Sequence, residues 1–427
     1  MTDQHTELTE LLTAHYAQAR PIRLVGTASG STNQVSMLRA GPGAAELVVR
    51  RRDVRTPGYQ PELPLLESAV RRLAEQAGLL VDSTIASGSG CDYVRIADHV
   101  YSLHRRLPGV AMSWSRWPAF QGRRLVPECL GGLQALWDGR IGATSPAELS
   151  ALLPVAEWAT VGGLGDPIDR VEAAFVRQDE PGPRLDLTGR TNPARFDWAA
   201  AVVDGLACRL PRYAELFSRW LPRLRDWAVG FDASRPAAGT DWLQHGDPSP
   251  TNTFFCPDLE SWRFVAGLID FELVRFAPFR SDLGVAGSIR FGDTPSRDEL
   301  GDVVAGRPTG QQLELGLLER YLSGYLAMTT PAAPAVDPAG LAAEIERGLH
   351  ANVLGLILWS VRMAQSALLD DDELVEYLAT QIHRYRCREF LRRHELERVV
   401  GCAVAAAASV RAEVTVALSA ATVEGRP

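Results

Sequence analysis

Lysine is absent from this chain. All 44 basic residues among its 427 positions are arginine, and the formal net charge is −8. Any step for which proteins usually employ a lysine ammonium must therefore do without a cation or use a guanidinium, which differs in shape and hydrogen bonding. The excess of acidic residues argues against nucleic acid as a partner.

Cysteine pairs and long apolar runs are absent as well. The six cysteines are scattered without a CxxC pair, so we expect reduced thiols and neither a disulfide framework nor a zinc site. No basic segment followed by an apolar run opens the chain, which predicts no signal peptide. The longest apolar stretch, 399–420, contains Arg411 and Glu413, whereas a membrane helix needs roughly 20 apolar residues. We therefore expect a cytoplasmic protein that does not bind membranes.

Hydrophobic periodicity predicts an α+β protein with two lobes. The first 110 residues contain helical patterns over 5–20 and 62–78, and strand patterns between and after them. From residue 111 the patterns are mostly helical, with one predicted hairpin at 253–271. We predict a small antiparallel β lobe with one main helix over 1–106 and a larger, mostly helical lobe over 107–427.

A polar loop interrupts the helical half. The segment "LQHGDPSPTNTFF" spans 243–255, and its two prolines exclude an ordinary helix. Asp247 and Asn252 have the D-x-x-x-x-N spacing of a kinase catalytic loop, and Asp270 follows in "GLIDFE". Phosphoryl transfer needs a carboxylate beside the attacking hydroxyl and oxygen ligands for Mg²⁺. Each residue alone is typical of a turn or a strand end, but the ordered set predicts this chemistry.

The combination "HGDPSPTNTFF…LIDFE…FRSDLG" resembles the aminoglycoside phosphotransferase and choline kinase-like superfamily over about residues 22–400. The resemblance implies a protein-kinase-like bilobal fold, with a catalytic loop at 243–255 and a metal-binding segment at 267–272. It further implies a role for each of the motif's polar residues. Asp247 would be the catalytic base or orient the substrate hydroxyl, Asn252 and Asp270 would bind the metal, and His245 and Asp282 would support the loop.

The same resemblance implies a nucleotide site in the β lobe. A turn between the first two strands would cover the phosphates, and Arg50 would replace the family's phosphate-binding lysine and pair with Glu67 on the following helix. Arg51 and Glu62 are the alternatives, and an exposed strand-end arginine without a role is a third interpretation. Adenine would bind backbone groups ahead of a Leu-Pro-Gly. The implied nucleotide-binding residues are Gly30, Ser31, Thr32, Asn33, Arg50, Glu67, Leu103, His104 and Arg105.

These features predict an ATP-dependent, Mg²⁺-requiring phosphotransferase acting on a small-molecule hydroxyl. Only 12 residues separate Asp270 from Asp282, too few for the activation segment of a protein kinase. The superfamily's acceptors include aminoglycosides, amino alcohols, homoserine-like amino acids and sugars. A catalytically silent nucleotide-binding pseudokinase with a regulatory role is the alternative, and a hydrolase using the same carboxylates is a second. The acidic run 370–373 either faces a cationic acceptor or forms a solvated helix start.

Overall fold

The computed structural model forms two compact units, each discontinuous in sequence. The first comprises Met1–Pro108, Ser145–Val176 and Gly267–Glu272, and the second comprises Gly109–Thr144, Arg177–Ala266 and Leu273–Pro427. The structure describes residues 2–16, 23–29, 34–39, 46–55, 63–107, 109–111, 124–153, 193–233, 242–255, 267–277, 280, 282–285, 295–307, 315–329, 337–366, 369–389 and 391–423.

The first unit contains the predicted antiparallel sheet. Its strands run in the order β1-β2-β3-β7-β5, and β6 pairs with β7 in a hairpin. The prediction of α+β architecture is confirmed. The elements of this unit are α1 Thr2–His15, β1 Arg23–Ser29, β2 Gln34–Arg39, β3 Glu46–Asp53, α2 Leu63–Gln76, β4 Leu80–Val81, β5 Thr84–Ile85, β6 Tyr93–Ile96 and β7 His99–Arg105.

Alternating side chains of the sheet build the core of this unit. Leu47 and Val49 of β3 are buried on one face with Leu103 of β7, and Leu8 and Leu12 of α1 pack in the same cluster. This follows from the period of two along a strand and of 3.6 along a helix. The apolar spacing that predicted the helix over 62–78 corresponds to α2.

Two later segments join the first unit. After β8 (Val110–Ala111) and α3 (Val126–Trp137), the short helix α4 (Pro146–Ser150) begins with a capping box formed by Ser145 and Glu148. The strand β11 (Gly267–Leu268) pairs in parallel with β4. The segment 267–272, which we expected in the helical lobe, therefore belongs with the β lobe because its strand completes a pair there.

The second unit is mostly helical, as predicted. One core cluster of this unit joins the helices Pro211–Ala233 (α6), Pro338–Ser366 (α10) and Asp371–Glu389 (α11) through residues such as Phe217, Ile357 and Leu378. The remaining elements of this unit are α5 Pro193–Leu206, α6 Pro211–Ala233, β9 Trp242–Gln244, β10 Thr253–Phe255, β12 Arg275–Ala277, α7 Asp282–Val285, α8 Arg297–Val304, α9 Leu315–Met328, α10 Pro338–Ser366, α11 Asp371–Glu389 and α12 Arg393–Val423.

Helices α3 and α9 cross at two glycines. A Cβ built on Gly131 would lie 1.8 Å from the carbonyl oxygen of Tyr321, and one built on Gly324 would lie 1.8 Å from that of Glu128. The two backbones therefore approach more closely than any other residue allows. The ion pair between Arg320 and Glu128 bridges the same two helices, with 2.6 Å between Nε and Oε1.

Helix α12 is long and apolar enough, by length and composition alone, to cross a membrane. Its candidate window covers Arg393–Leu418, with a mean hydropathy of 1.6 and 28% of the window buried. Buried residues recur along it at Val400, Ala403, Ala407 and Val414. This seam has the spacing of helix-on-helix packing, and a core helix of a soluble protein passes the same test. We excluded a membrane span because of Arg411 and Glu413, but these two charges do not remove the helix from the class of candidate spans.

Candidate active site

The polar loop lies between strands β9 and β10 of the second unit. Pro250 opens a single 3₁₀ turn over Pro250–Asn252, and β10 starts at the next residue. The Asn252 Nδ2 donates to the carboxylate Oδ2 of Asp247 at 2.9 Å and to its backbone carbonyl at 3.0 Å. Both partners are acceptors, so the amide nitrogen must face them and the Asn252 Oδ1 points elsewhere. The structure thus brings Asp247 and Asn252 into direct contact.

His245 and Asp282 support this loop through hydrogen bonds with its backbone. The Asp282 carboxylate is fully buried and accepts the backbone N–H of His245 at 2.8 Å and that of Gly246 at 3.2 Å. The His245 ring is also buried, packs edge-on against Trp137 and accepts the Asp247 N–H on Nδ1 at 3.3 Å. These contacts are those expected of loop-supporting residues.

A buried carboxylate lies deeper in the second unit. Asp138 accepts the Tyr325 hydroxyl at 2.9 Å and the Gln134 amide at 2.9 Å, and Arg280 donates to the same hydroxyl at 3.0 Å. Burial raises the pKa of Asp138 to about 7, although the hydrogen bond from Tyr325 and the charge of Arg280 oppose the shift. Sequence reasoning missed this group because its members come from separate segments without a shared motif.

Asp270 lies in the first unit, directly after β11. Its backbone is left-handed, with φ of 69°, a conformation that Asp adopts more readily than most residues with a side chain. The side chain is 30% exposed, and its Oδ1 lies 3.2 Å from Nη1 of Arg50. A carboxylate oxygen here and the Asn252 amide oxygen are hard ligands of the kind that Mg²⁺ prefers. Within the described residues, no group of three or more His, Cys, Asp or Glu side chains could hold a metal ion.

The arginines of β3 differ from our prediction in their pairing. Arg50 and Arg52 are both buried on one face of the strand, whereas Arg51 contacts Gln34 and His99. Glu67 pairs with Arg52, at 2.5 Å, and not with Arg50 as predicted. The reason is the strand period of two, which offers the helix two guanidinium groups instead of one. The alternative to Arg50 that we considered was Arg51, which contacts Gln34 and His99, and not Arg52.

Three further buried residues surround these arginines. Asp82 accepts from Nε of Arg71 at 3.0 Å and lies 3.6 Å from Nη2 of Arg50. The His104 ring lies 3.7 Å from the Asp82 carboxylate, and burial holds the pKa of His104 well below its usual range. Burial opposes ionisation of Glu67, but the neighbouring arginines keep its pKa below the usual value. The only available sequence signal for Arg71 was its offset of four residues from Glu67 on α2.

The predicted adenine-binding residues lie inside the sheet. Leu103 and His104 pair with β3 on one side and with β5 on the other. The Arg105 N–H donates to the Ser83 carbonyl at 2.9 Å. Neighbouring strands thus use this backbone, and the prediction of a nucleotide contact at 103–105 needs correction. Strand β7 simply continues further than the sequence pattern suggested.

Other predicted residues have simpler outcomes. The phosphate-covering turn, Gly30, Ser31, Thr32 and Asn33, lies outside the described residues, as does the alternative Glu62. The acidic run 370–373 forms a helix start: Asp370 and Glu373 cap each other's backbone, at 2.9 Å each. Asp371 accepts the N–H groups of residues 212 and 213 at the start of α6. These contacts favour the helix-start interpretation of this run.

Comparison with known proteins places the chain among phosphotransferases. Residues 23–315, more than half of the chain, match the model described as "Phosphotransferase enzyme family". No curated protein matched. An amicoumacin kinase solved with AMP-PNP and Ca²⁺ is 13% identical, with a TM-score of 0.51 and coverage of 93% of this chain and 97% of its own.

Two further solved structures have TM-scores below 0.5. A spectinomycin phosphotransferase in complex with ADP and spectinomycin is 14% identical, with a TM-score of 0.47 and coverage of 94% of this chain and 98% of its own. An ethanolamine kinase from Plasmodium vivax is 14% identical, with a TM-score of 0.49 and coverage of 92% and 90%.

Proposed function

The chain belongs to the phosphotransferase enzyme family, and we propose that it transfers the γ-phosphate of ATP, with Mg²⁺, to a hydroxyl of a small molecule. The observation that carries this proposal is the contact of Asp247 with Asn252 on a loop braced by Asp282. A carboxylate and an amide at this offset are the pair that phosphoryl transfer uses. The kinase fold of the amicoumacin kinase, which was solved with AMP-PNP and Ca²⁺, supports the choice of nucleotide and divalent cation.

Asp247 would act on the acceptor. The acceptor oxygen forms a bond to the γ-phosphorus, the bond from that phosphorus to the β-bridging oxygen breaks, and ADP leaves. Asp247 takes the hydroxyl proton late in this step, because an ordinary carboxylate is too weak a base to remove it beforehand. Before then the carboxylate orients the hydroxyl, and the Asn252 amide fixes the rotamer of Asp247.

Asn252 and Asp270 would hold Mg²⁺, which when bound neutralises phosphate charge. Both groups offer oxygen, and Mg²⁺ needs only one or two protein ligands when phosphates and water supply the rest. The Asp270 Oδ2 makes no hydrogen bond within the described residues, and its Oδ1 contacts Arg50. We propose that Asp270 and Asn252 bind the same ion.

The nucleotide would be bound by the first unit. Arg50 would bind phosphate, and the segment 30–33 would cover it with backbone N–H groups. We propose that adenine contacts backbone groups after Arg105, where β7 ends, rather than within the strand. The acceptor would come from the classes that related kinases use: aminoglycosides, amino alcohols, homoserine-like amino acids or sugars.

The test is an acceptor screen with γ-labelled ATP, run with the parent protein and Asp247→Asn. We expect one acceptor class to become labelled and kcat of the variant to fall about 10²-fold or more, since a positioned acid–base group contributes on that scale. Nucleotide binding by the variant should stay within about twofold of the parent. Activity within a few-fold of the parent would remove Asp247 from the mechanism.

The silent pseudokinase makes a different forecast. It would bind nucleotide, show a thermal shift with ATP and Mg²⁺, and label no acceptor at any concentration. The pairing of Arg50 with Asp270 is compatible with such a protein, because a guanidinium beside the carboxylate opposes metal binding. The two functions are separated by turnover and not by binding.

A further inference from the structure

Six side chains in the first unit form a continuous line of alternating charge. Successive partners lie 2.5, 3.4, 3.0, 3.6 and 3.2 Å apart. We call this line the arginine–carboxylate chain. In order, its members are Arg52, Glu67, Arg71, Asp82, Arg50 and Asp270.

The chain is buried at one end and open at the other. Its first five members are at most 7% exposed, while the Asp270 side chain is 30% exposed. Three guanidinium groups face three carboxylates, so the formal charges cancel. Buried charges are tolerated only when each is paired, and removal of one partner leaves its neighbour uncompensated. Among its six members, Asp270 is therefore the one exposed enough for a ligand to replace its ion-pair partner.

We propose that Arg50 and Arg52 share the two roles of one phosphate-binding cation. Arg50 stays ion-paired with Asp270 until nucleotide and metal bind together. The inference rests on the proposed function and deepens it. Arg52 anchors helix α2 through Glu67. Arg50 has one terminal nitrogen toward Asp82 and the other toward Asp270. A planar guanidinium can serve two carboxylates in this way, whereas an ammonium is a point charge.

Asp82 is a positioning residue in this scheme. Arg71 fixes its carboxylate through Nε, and Phe271 lies under the Arg71 guanidinium, 5.2 Å from it to the ring centroid. When Asp270 turns to a metal ion, Asp82 still retains Arg50 in place. Arg50 then faces the position that Asp270 has left, and a phosphate oxygen replaces the lost carboxylate.

The exchange couples the two ligands. Metal alone must displace a guanidinium 3.2 Å from its ligand oxygen and leave that cation with Asp82 as its counter-charge, a carboxylate that it shares with Arg71. Nucleotide alone must draw Arg50 away from Asp270, and the carboxylate that then loses its ion pair repels the phosphates. Together each ligand relieves the cost of the other, so metal and nucleotide raise one another's affinity by the same factor.

The experiment measures Mn²⁺ binding by electron paramagnetic resonance, with and without ADP, on the full chain. The variants are Arg50→Gln, Asp82→Asn and, as the matched control, Arg51→Gln, which removes the same charge from the same strand on its other face. We expect the parent to bind Mn²⁺ weakly alone and at least about tenfold more tightly with ADP. Arg50→Gln should bind Mn²⁺ alone about tenfold more tightly than the parent, because a like charge beside the ligand is gone. It should lose most of the coupling to ADP.

The other variants complete the test. Arg51→Gln should reproduce the parent in both measurements. Asp82→Asn should bind Mn²⁺ with ADP about tenfold more weakly, without any gain for Mn²⁺ alone, because Arg50 then depends wholly on Asp270. If Asp82→Asn does not fold, as its circular dichroism would show, the Arg50→Gln measurement decides by itself.

Two results would refute different parts of the proposal. If Arg50→Gln and the parent bind Mn²⁺ alone equally while the parent still binds it tightly with ADP, the exchange is refuted and the metal site stands. If the parent does not bind Mn²⁺ even with ADP, the proposed function is refuted, and so is the exchange that rests on it.

Discussion

The sharpest consequence of the loop geometry concerns Asp282. Its carboxylate accepts two backbone N–H groups, from His245 and Gly246, and both donors are buried. Asp282→Ala would remove the carboxylate that accepts from both of these buried donors. Hydrogen bonds to a charged group contribute about 1.5–3 kcal/mol each, so we expect the loop to lose about 3–6 kcal/mol of local stability.

The assay is hydrogen exchange of the backbone amides at 245 and 246. A loss of about 3 kcal/mol corresponds to roughly 10²-fold faster exchange when the loop opens before exchange occurs. Asp282→Asn is the matched control, because its amide retains one acceptor oxygen and should lose about half of the protection. We also expect kcat to fall in Asp282→Ala, since Asp247 depends on this loop for its position.

Two results would refute this reasoning. Exchange within about threefold of the parent in Asp282→Ala would mean that the loop does not depend on the carboxylate. Equal effects of the Ala and Asn variants would mean that charge, and not the number of acceptor oxygens, supports the loop. Unfolding midpoints should follow the same order, with the parent highest and the Ala variant lowest.

Three further predictions follow from buried contacts. Burial raises the pKa of Asp138 to about 7, against about 4 in an unfolded chain, so the free energy of unfolding falls as pH rises between these values. Chemical unfolding of Asp138→Asn should therefore show a gain in stability of about 2–3 kcal/mol relative to the parent from pH 5 to pH 8. Gly324→Ala should cost about 3 kcal/mol or more in the same assay because it forces two backbones apart, while Gly316→Ala, which meets open space, should be neutral. Asp371→Ala should lower stability by about 1–2 kcal/mol through loss of the cap on α6, and an unchanged midpoint would contradict that role.

Sequence periodicity predicted most of the architecture. The strands of the β lobe, helix α2 and the helical second unit follow from apolar spacing, since burial of one face dictates these periods. The loop holding Asp247 and Asn252 was predictable because both residues lie on one short, proline-stiffened segment. The contact between them needs no information from distant parts of the chain.

The partners of the arginines were not predictable in the same way. Arg50 and Arg52 are equivalent in sequence, and only the positions of Asp82, Glu67 and Asp270 decide which guanidinium meets which carboxylate. The pairing of Leu103 and His104 was not predictable for a related reason, because their partners on β3 and β5 lie far away in the sequence. Long-range pairing, and not local propensity, determined both outcomes.

The guanidinium groups of the arginine–carboxylate chain also determine which reagents can react at the proposed nucleotide site. Probes that acylate an amine beside bound phosphate require a neutral nitrogen as nucleophile. A lysine supplies one because its ammonium can lose a proton, whereas an arginine in a protein remains protonated and unreactive. With no lysine in the chain, no side-chain amine is available to such probes at all. Profiling of kinases by lysine acylation would therefore overlook this protein even when it is fully loaded with nucleotide.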